Sequence, residues 1–131
     1  MRVGARSSIV IVEDDENIGE LLGFMFRRDG FDTVMLRDGR SAEEYVAAGE
    51  PAAAVLLDVM LPYRDGFAVA AAIRADARWR GVPIVMLTGR SLAADVERGR
   101  AIGVTDYVLK PFRPPALLGR VKSLIELARA G

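Results

Sequence analysis

The chain has 131 residues, 51% apolar and 27% charged, with 18 bases against 18 acids. That profile fits one soluble globular domain with room for a core, and the neutral balance gives no electrostatic footprint for nucleic acid or an anionic membrane. Cysteine and histidine are both absent, which excludes disulfides, thiolate zinc sites, Ser–His and Cys–His catalysis, and any role as a histidine phosphodonor.

The bases are mostly arginine, with lysine only at Lys110 and Lys122, so a lysine in a special place carries information. No run approaches the roughly 18 apolar residues of a membrane span. The apolar run Ile9 to Val12 is too short for a signal peptide and acids follow it directly. A cytoplasmic location is expected.

Residues 1–7 are polar and irregular and are expected to form a flexible N-terminus before a domain spanning 8–129. Ser8 to Val12 reads as a first buried strand, closed by Glu13, Asp14, Asp15 and Glu16. Ile18, Leu21, Leu22, Met25 and Phe26 recur with the period of a helix that has one apolar face, ended by Asp29-Gly30. Gly19 and Gly23 lie inside that helix at a cost of about 1 kcal/mol each, which close packing on the sheet would explain.

Asp32 to Leu36 is a second strand, Asp38-Gly39 a turn, and Ser41 to Ala48 a short helix. Ala53 to Val59 is an apolar run too short for a helix, ended by Pro62, and reads as a strand buried on both faces. After a loop over 61–66 come a helix from Phe67 to Asp76 and a fourth strand from Val82 to Leu87, closing at Thr88-Gly89. Ser91 is the expected N-cap of a helix reaching Ile102. Tyr107 to Leu109 is a fifth strand, and Pro114-Pro115 opens a last helix whose apolar face is Leu117, Val121, Leu124 and Ala128.

Strict alternation of buried strands and helices predicts a doubly wound α/β fold, a parallel sheet covered on both faces, with ligands at the C-terminal strand ends. Glu13 and Asp14 end the first strand, Asp58 the third, Thr88 the fourth and Lys110 the fifth. All therefore share one sheet edge. Three carboxylates meeting there repel one another, so a proton or a cation must be held among them. Oxygen ligands without His or Cys suit Mg²⁺ best. With a hydroxyl and an ammonium opposite, the set is equipped for phosphoryl transfer to Asp58, with Thr88 and Lys110 on the phosphoryl oxygens. Taken singly, each residue has a plainer reading. The acids would favour a helix N-terminus, Thr88 would cap a loop, Lys110 would snorkel, and Tyr107 and Phe112 would be core. Their convergence on one edge is what those readings leave unexplained.

The sequence resembles the receiver domain of two-component response regulators. The resemblance rests on Ile11-Val12-Glu13-Asp14-Asp15, Leu57-Asp58-Val59-Met60-Leu61-Pro62, Asp65-Gly66, Met86-Leu87-Thr88 and Asp106 to Phe112, and runs from about Ser8 to Ala128. It implies a flavodoxin-like sheet of five parallel strands, order 2-1-3-4-5, with five helices. It implies that Asp58 accepts a phosphoryl group from a histidine kinase or histidine phosphotransfer protein. Asp14, Asp58 and the Met60 backbone carbonyl would ligate Mg²⁺, with Glu13 partly through water. Thr88 and Lys110 would contact the phosphoryl group, and Thr88 with Tyr107 would form the switch that shifts the face of the fourth helix, fifth strand and fifth helix.

The domain would then be a signalling switch and not an enzyme, although it assists its own phosphorylation and dephosphorylation. It would act on a downstream protein or an effector domain outside this chain, with no direct contact to nucleic acid or membrane. The resemblance also implies a cis Lys110–Pro111 bond. The alternative is a receiver-like interaction module that does not cycle phosphate, which the complete Asp58, Thr88 and Lys110 set argues against. A flavin carrier is disfavoured because the four acids after the first strand would repel a phosphate. A phosphatase of the D-x-D type is disfavoured because Glu13-Asp14-Asp15 lacks that motif. Departures from the family pattern are Gly89 after Thr88, Arg64 in the loop, and Val96, Thr105 and Ala116 at positions that carry charge in salt-bridged receiver dimers.

Overall fold

The computed structural model describes residues 7–89 and 93–130; the expected cap Ser91 and most of the expected N-terminal segment fall outside these. In order, the elements are β1 (Ser8–Val12), α1 (Glu16–Arg28), β2 (Asp32–Leu36), α2 (Gly39–Ala48), β3 (Ala54–Asp58), α3 (Gly66–Ala75), a 3-10 turn (Ala77–Trp79), β4 (Ile84–Thr88), α4 (Ala93–Ile102), β5 (Asp106–Leu109) and α5 (Pro114–Ala130). The five strands are all parallel in the order β2-β1-β3-β4-β5. Chain order therefore reverses at β1, and the crevice of the fold opens between the C-terminal ends of β1 and β3.

The three central strands, β1, β3 and β4, are apolar over most of their length because both faces are covered, while the edge strands β2 and β5 are only partly buried. Val10, Val12, Val55, Leu57, Ile84 and Met86 pack in the layer with α2 and α3. Their neighbours Ile9, Ile11, Leu56, Val85 and Leu87 face α1 and α5. This two-residue alternation is the pleat of a strand buried on both sides.

Aspartates start four of the helical segments. Asp15 accepts from the Asn17 and Ile18 amides, Asp38 from Ser41, Asp65 from Ala68 and Asp76 from Arg78. Each such cap contributes about 1 kcal/mol. The acidic run after β1 is thus divided: Asp15 caps α1 and Glu16 pairs with Arg37 at 3.1 Å, while Glu13 and Asp14 are left for the sheet edge.

Several boundaries differ from the sequence expectation for local reasons. Regular pairing of β4 starts at Ile84 and not Val82, because Pro83 has no N–H for the ladder, although its carbonyl still accepts from the Val55 amide. α2 begins at Gly39, under the Asp38 cap. The buried stripe of α5 is Leu117, Val121 and Ile125; Leu124 is half-buried and Ala128 exposed, so the four-residue step continues through Ile125. The 3-10 turn and its fully buried Trp79 had no counterpart in the sequence reading.

The glycines of α1 have the expected explanation. A Cβ at Gly19 would stand 3.1 Å from the Met35 methyl, and one at Gly23 would stand 3.2 Å from its sulfur. Met35 of β2 fills the space that they leave.

Candidate functional site

Register brings the site together. Val12 of β1 pairs with Leu57 of β3, so Glu13 and Asp58 leave neighbouring strands side by side. Asp58 pairs with Leu87 across β3 and β4, and Thr88 pairs with Leu109 across β4 and β5, with Lys110 one residue beyond. The Lys110 amide donates to the Thr88 carbonyl at 2.6 Å, and the Lys110–Pro111 bond is cis as expected.

Glu13, Asp58 and Thr88 are the buried polar side chains among the described residues, exposed by 3%, 6% and 1%. A buried carboxylate is costly unless paired. Here the pairing comes from Lys110, whose Nζ donates to Glu13 Oε1 at 2.6 Å and to Asp58 Oδ2 at 3.1 Å. Asp58 Oδ1 accepts from the Met60 amide at 3.1 Å. Asp14 is exposed at the mouth, and one carboxylate oxygen each from Glu13, Asp14 and Asp58 lie within 4.8 Å of one another.

One ammonium does not balance three carboxylates. Burial, and then the neighbouring Asp58 carboxyl, push the Glu13 carboxyl up to about 8. Burial alone would lower the Lys110 ammonium, but its bonds to Glu13 and Asp58 outweigh that and hold it above its ordinary value. Glu13 Oε2 is buried and accepts no hydrogen bond. An orphaned acceptor among three convergent carboxylate oxygens, with a charge deficit, is the donor set of a hard divalent cation. Mg²⁺ fits it.

The loop after β3 is held from two sides. The Gly66 amide donates to the Val59 carbonyl, and a Cβ at Gly66 would stand 2.3 Å from the Asp58 carbonyl oxygen. Arg64, at the position where an apolar residue is commoner, turns outward to Glu43 at 2.9 Å while its backbone lies against Gly39. Tyr63 takes a positive φ of 70° and stacks under the Arg40 guanidinium at 4.2 Å. Tyr107 is half-buried on β5 opposite Met86, packed in the α2–α3 layer with its hydroxyl buried.

The sequence model of the response regulator receiver domain matches residues 9–122. The chain belongs to this receiver family. DNA-binding response regulator MtrA of Mycolicibacterium smegmatis is 43% identical over 118 residues, 90% of this chain and 50% of that protein. Transcriptional regulatory protein GltR of Pseudomonas aeruginosa is 40% identical over 122 residues, 93% of this chain and 50% of that protein. The receiver thus spans about half the length of these relatives.

Among solved structures, the receiver domain of a sensor histidine kinase from Pseudomonas aeruginosa has a magnesium ion coordinated in its active-site cleft. It is 31% identical with a TM-score of 0.83, over 93% of this chain and 99% of that one. The chemotaxis response regulator CheY4 of Vibrio cholerae is 25% identical with a TM-score of 0.85, over 92% of this chain and 98% of that one. Residues 9–122 are thus a response regulator receiver domain, with the doubly wound fold of these solved receivers.

Proposed function

We propose that Asp58 is the phosphoacceptor of this receiver and that residues 8–129 form the switching unit. The observation that carries this is the Lys110 bridge between Glu13 and Asp58 inside a cluster with more acids than bases. Transfer breaks the P–N bond of a donor phosphohistidine and forms an O–P bond to the Asp58 carboxylate, while the electron pair returns to the donor nitrogen. Asp14, Asp58 and the Met60 carbonyl, with Glu13 partly through water, would hold Mg²⁺, whose charge would offset that of the phosphoryl oxygens. Lys110 leaves its carboxylate partners to hold one phosphoryl oxygen, and the Thr88 hydroxyl donates to another. The same groups assist hydrolysis of the acyl phosphate.

Thr88 and Tyr107 then relay the change to the face of α4, β5 and α5, which acts on a downstream protein or effector domain. The donor is a histidine kinase or histidine phosphotransfer protein in the cytoplasm. Among the described residues no helix is long and apolar enough to cross a membrane. An apolar strip beside the site supports a protein donor. Ile18 and Leu21 face Pro111 and Phe112 across an opening of about 340 Å³, and Phe24, 58% exposed, extends the strip along α1.

Acetyl phosphate with Mg²⁺ tests the acceptor without a kinase. Intact-mass spectrometry should show one phosphoryl adduct on the wild type and none on Asp58→Asn. An unlabelled, folded wild type would instead support the module that does not cycle phosphate. An adduct that survives Asp58→Asn would move the acceptor elsewhere.

A further inference from the structure

The loop that carries Met60 is tied to the sheet at its base. The Val59 amide donates to the Leu87 carbonyl at 3.2 Å, the Met60 amide to Asp58 Oδ1 at 3.1 Å, and the Gly66 amide to the Val59 carbonyl at 2.9 Å. None of these bonds reaches the far side of the loop, Pro62 to Arg64.

That far side is strained. The Arg64 amide donates to the Pro62 carbonyl at 2.8 Å, closing a three-residue turn around Tyr63 at φ 70°. A turn of this kind is rare, and a residue with a Cβ adopts a positive φ only at a cost. Tyr63 is exposed, so burial of its ring in the core does not offset that cost.

The support comes from the start of α2. The Gly39 amide opens that helix and has no acceptor within it; it donates to the same Pro62 carbonyl at 3.1 Å. The Arg40 guanidinium lies 4.2 Å from the centroid of the Tyr63 ring, and Glu43 accepts from Arg64 Nε at 2.9 Å. A Cβ at Gly39 would stand 1.9 Å from the Arg64 carbonyl oxygen, so helix and loop meet backbone to backbone. Pro62, Tyr63 and Arg64 are thus each met by one residue of the first turn or so of α2. Each contact is small by itself. All three bear on one strained turn.

We propose that the start of α2 is a clasp for the metal-binding loop, with Arg40 and Glu43 as positioning residues that keep the Met60 carbonyl in place for Mg²⁺. Neither side chain touches the ion; they act through Tyr63 and Arg64. Met60 stands between the tied base and the clasped far side, so its carbonyl is fixed only while both hold. This role rests on the Mg²⁺ ligands assigned above.

A Mg²⁺ titration followed by amide chemical shifts of the whole chain tests the clasp without phosphate. In the wild type the amides of Asp14, Asp58 and Met60 should shift together and give one Kd. Arg40→Met keeps the stem and removes the charge over the ring. It should raise that Kd roughly two- to fivefold, the equivalent of one exposed cation–π contact. In a Tyr63→Gly background, where the turn carries no strain and no ring, Arg40→Met should leave Kd unchanged. Gly39→Ala should weaken Mg²⁺ further; if it does not fold, the Arg40→Met comparison in the two backgrounds decides. With acetyl phosphate, Arg40→Met should need more Mg²⁺ for half-maximal labelling and match the wild type at saturation. A purely structural Arg40 would lower the denaturation midpoint and leave Kd alone, which overturns the proposal. So does an equal loss of affinity with and without the Tyr63 ring. A wild type whose amides ignore Mg²⁺ would remove the metal reading itself, and the clasp with it.

Discussion

The two ends of the sheet solve opposite electrostatic problems. At the C-terminal end, Glu13, Asp14 and Asp58 converge on one ammonium, that of Lys110. At the N-terminal end, guanidiniums converge on carbonyls. Arg78 donates to Val46, Ala47 and Gly49 at the end of α2, and Arg74 donates to Gly103, Trp79 and Arg80. A cation bonded to carbonyls closes helix ends whose acceptors would otherwise lie idle. Acids crowded on one lysine leave a site whose charge must be completed from outside. One end is therefore built to hold and the other to respond.

The holding end should show the largest effect on stability and none on the chemistry. Trp79 is fully buried, its Nε1 donates to the Val46 carbonyl at 3.1 Å, and its ring meets Tyr45 edge-on at 6.3 Å. Trp79→Ala should cost about 3–5 kcal/mol in a denaturant titration. Below its lowered melting point the variant should still take a phosphoryl group from acetyl phosphate. Lost labelling at unchanged stability would mean that the two ends are not separate in this way.

The responding end should gain stability from a cation. Mg²⁺ at tenfold its Kd should stabilise the fold by about 1.4 kcal/mol through linkage, read as a thermal shift. Asp14→Ala should remove the part of that gain that Ca²⁺ or ionic strength cannot reproduce. An undiminished Mg²⁺ shift in the variant would take Asp14 out of the metal site.

Proton binding gives the same end a pH signature. The Glu13 carboxyl stands at about 8 in the fold against 4.5 unperturbed, chiefly because it is buried. Between those values the folded chain keeps a proton that the unfolded chain has released. Without Mg²⁺, this contribution to stability is full below the lower value and is lost as pH rises through the higher one. Denaturant midpoints should therefore fall from pH 5 toward pH 8. Glu13→Gln should flatten that slope, and the Mg²⁺ shift should grow with pH as metal replaces proton. A midpoint that climbs over this window would contradict the assignment.

Legibility in the sequence followed the same division. The responding end was readable because its parts are side chains at strand ends, and alternation of apolar runs places those ends on one edge. Glu13, Asp14, Asp58, Thr88 and Lys110 all stand there. The holding end was missed because its acceptors are backbone carbonyls, which leave no residue signature. Arg78 reaches Val46 over 32 residues, and Arg74 reaches Gly103 over 29. Gly39 read only as a turn, yet a Cβ there would stand 1.9 Å from the Arg64 carbonyl oxygen. That contact between two loops could not be inferred from either loop alone.

The smallest effects are expected on the face of α4, β5 and α5, where two ion pairs are already made within one chain. Arg120 Nε meets Asp106 Oδ2 at 2.5 Å, and Arg100 meets Glu97 at 3.3 Å along α4. A dimer built by exchanging such pairs trades one exposed contact for an equivalent one, and each contributes only about 0–1 kcal/mol. Val96, Thr105 and Ala116 add no charge that a second chain could use. With Mg²⁺ and beryllium fluoride, light scattering should therefore find a monomer, or an assembly indifferent to salt. Asp106→Ala and Arg120→Ala should leave the mass unchanged and barely move the denaturation midpoint, because the pair is exposed to solvent. A dimer that salt dissolves, and that either substitution abolishes, would show that the responding end works through a charge lattice after all.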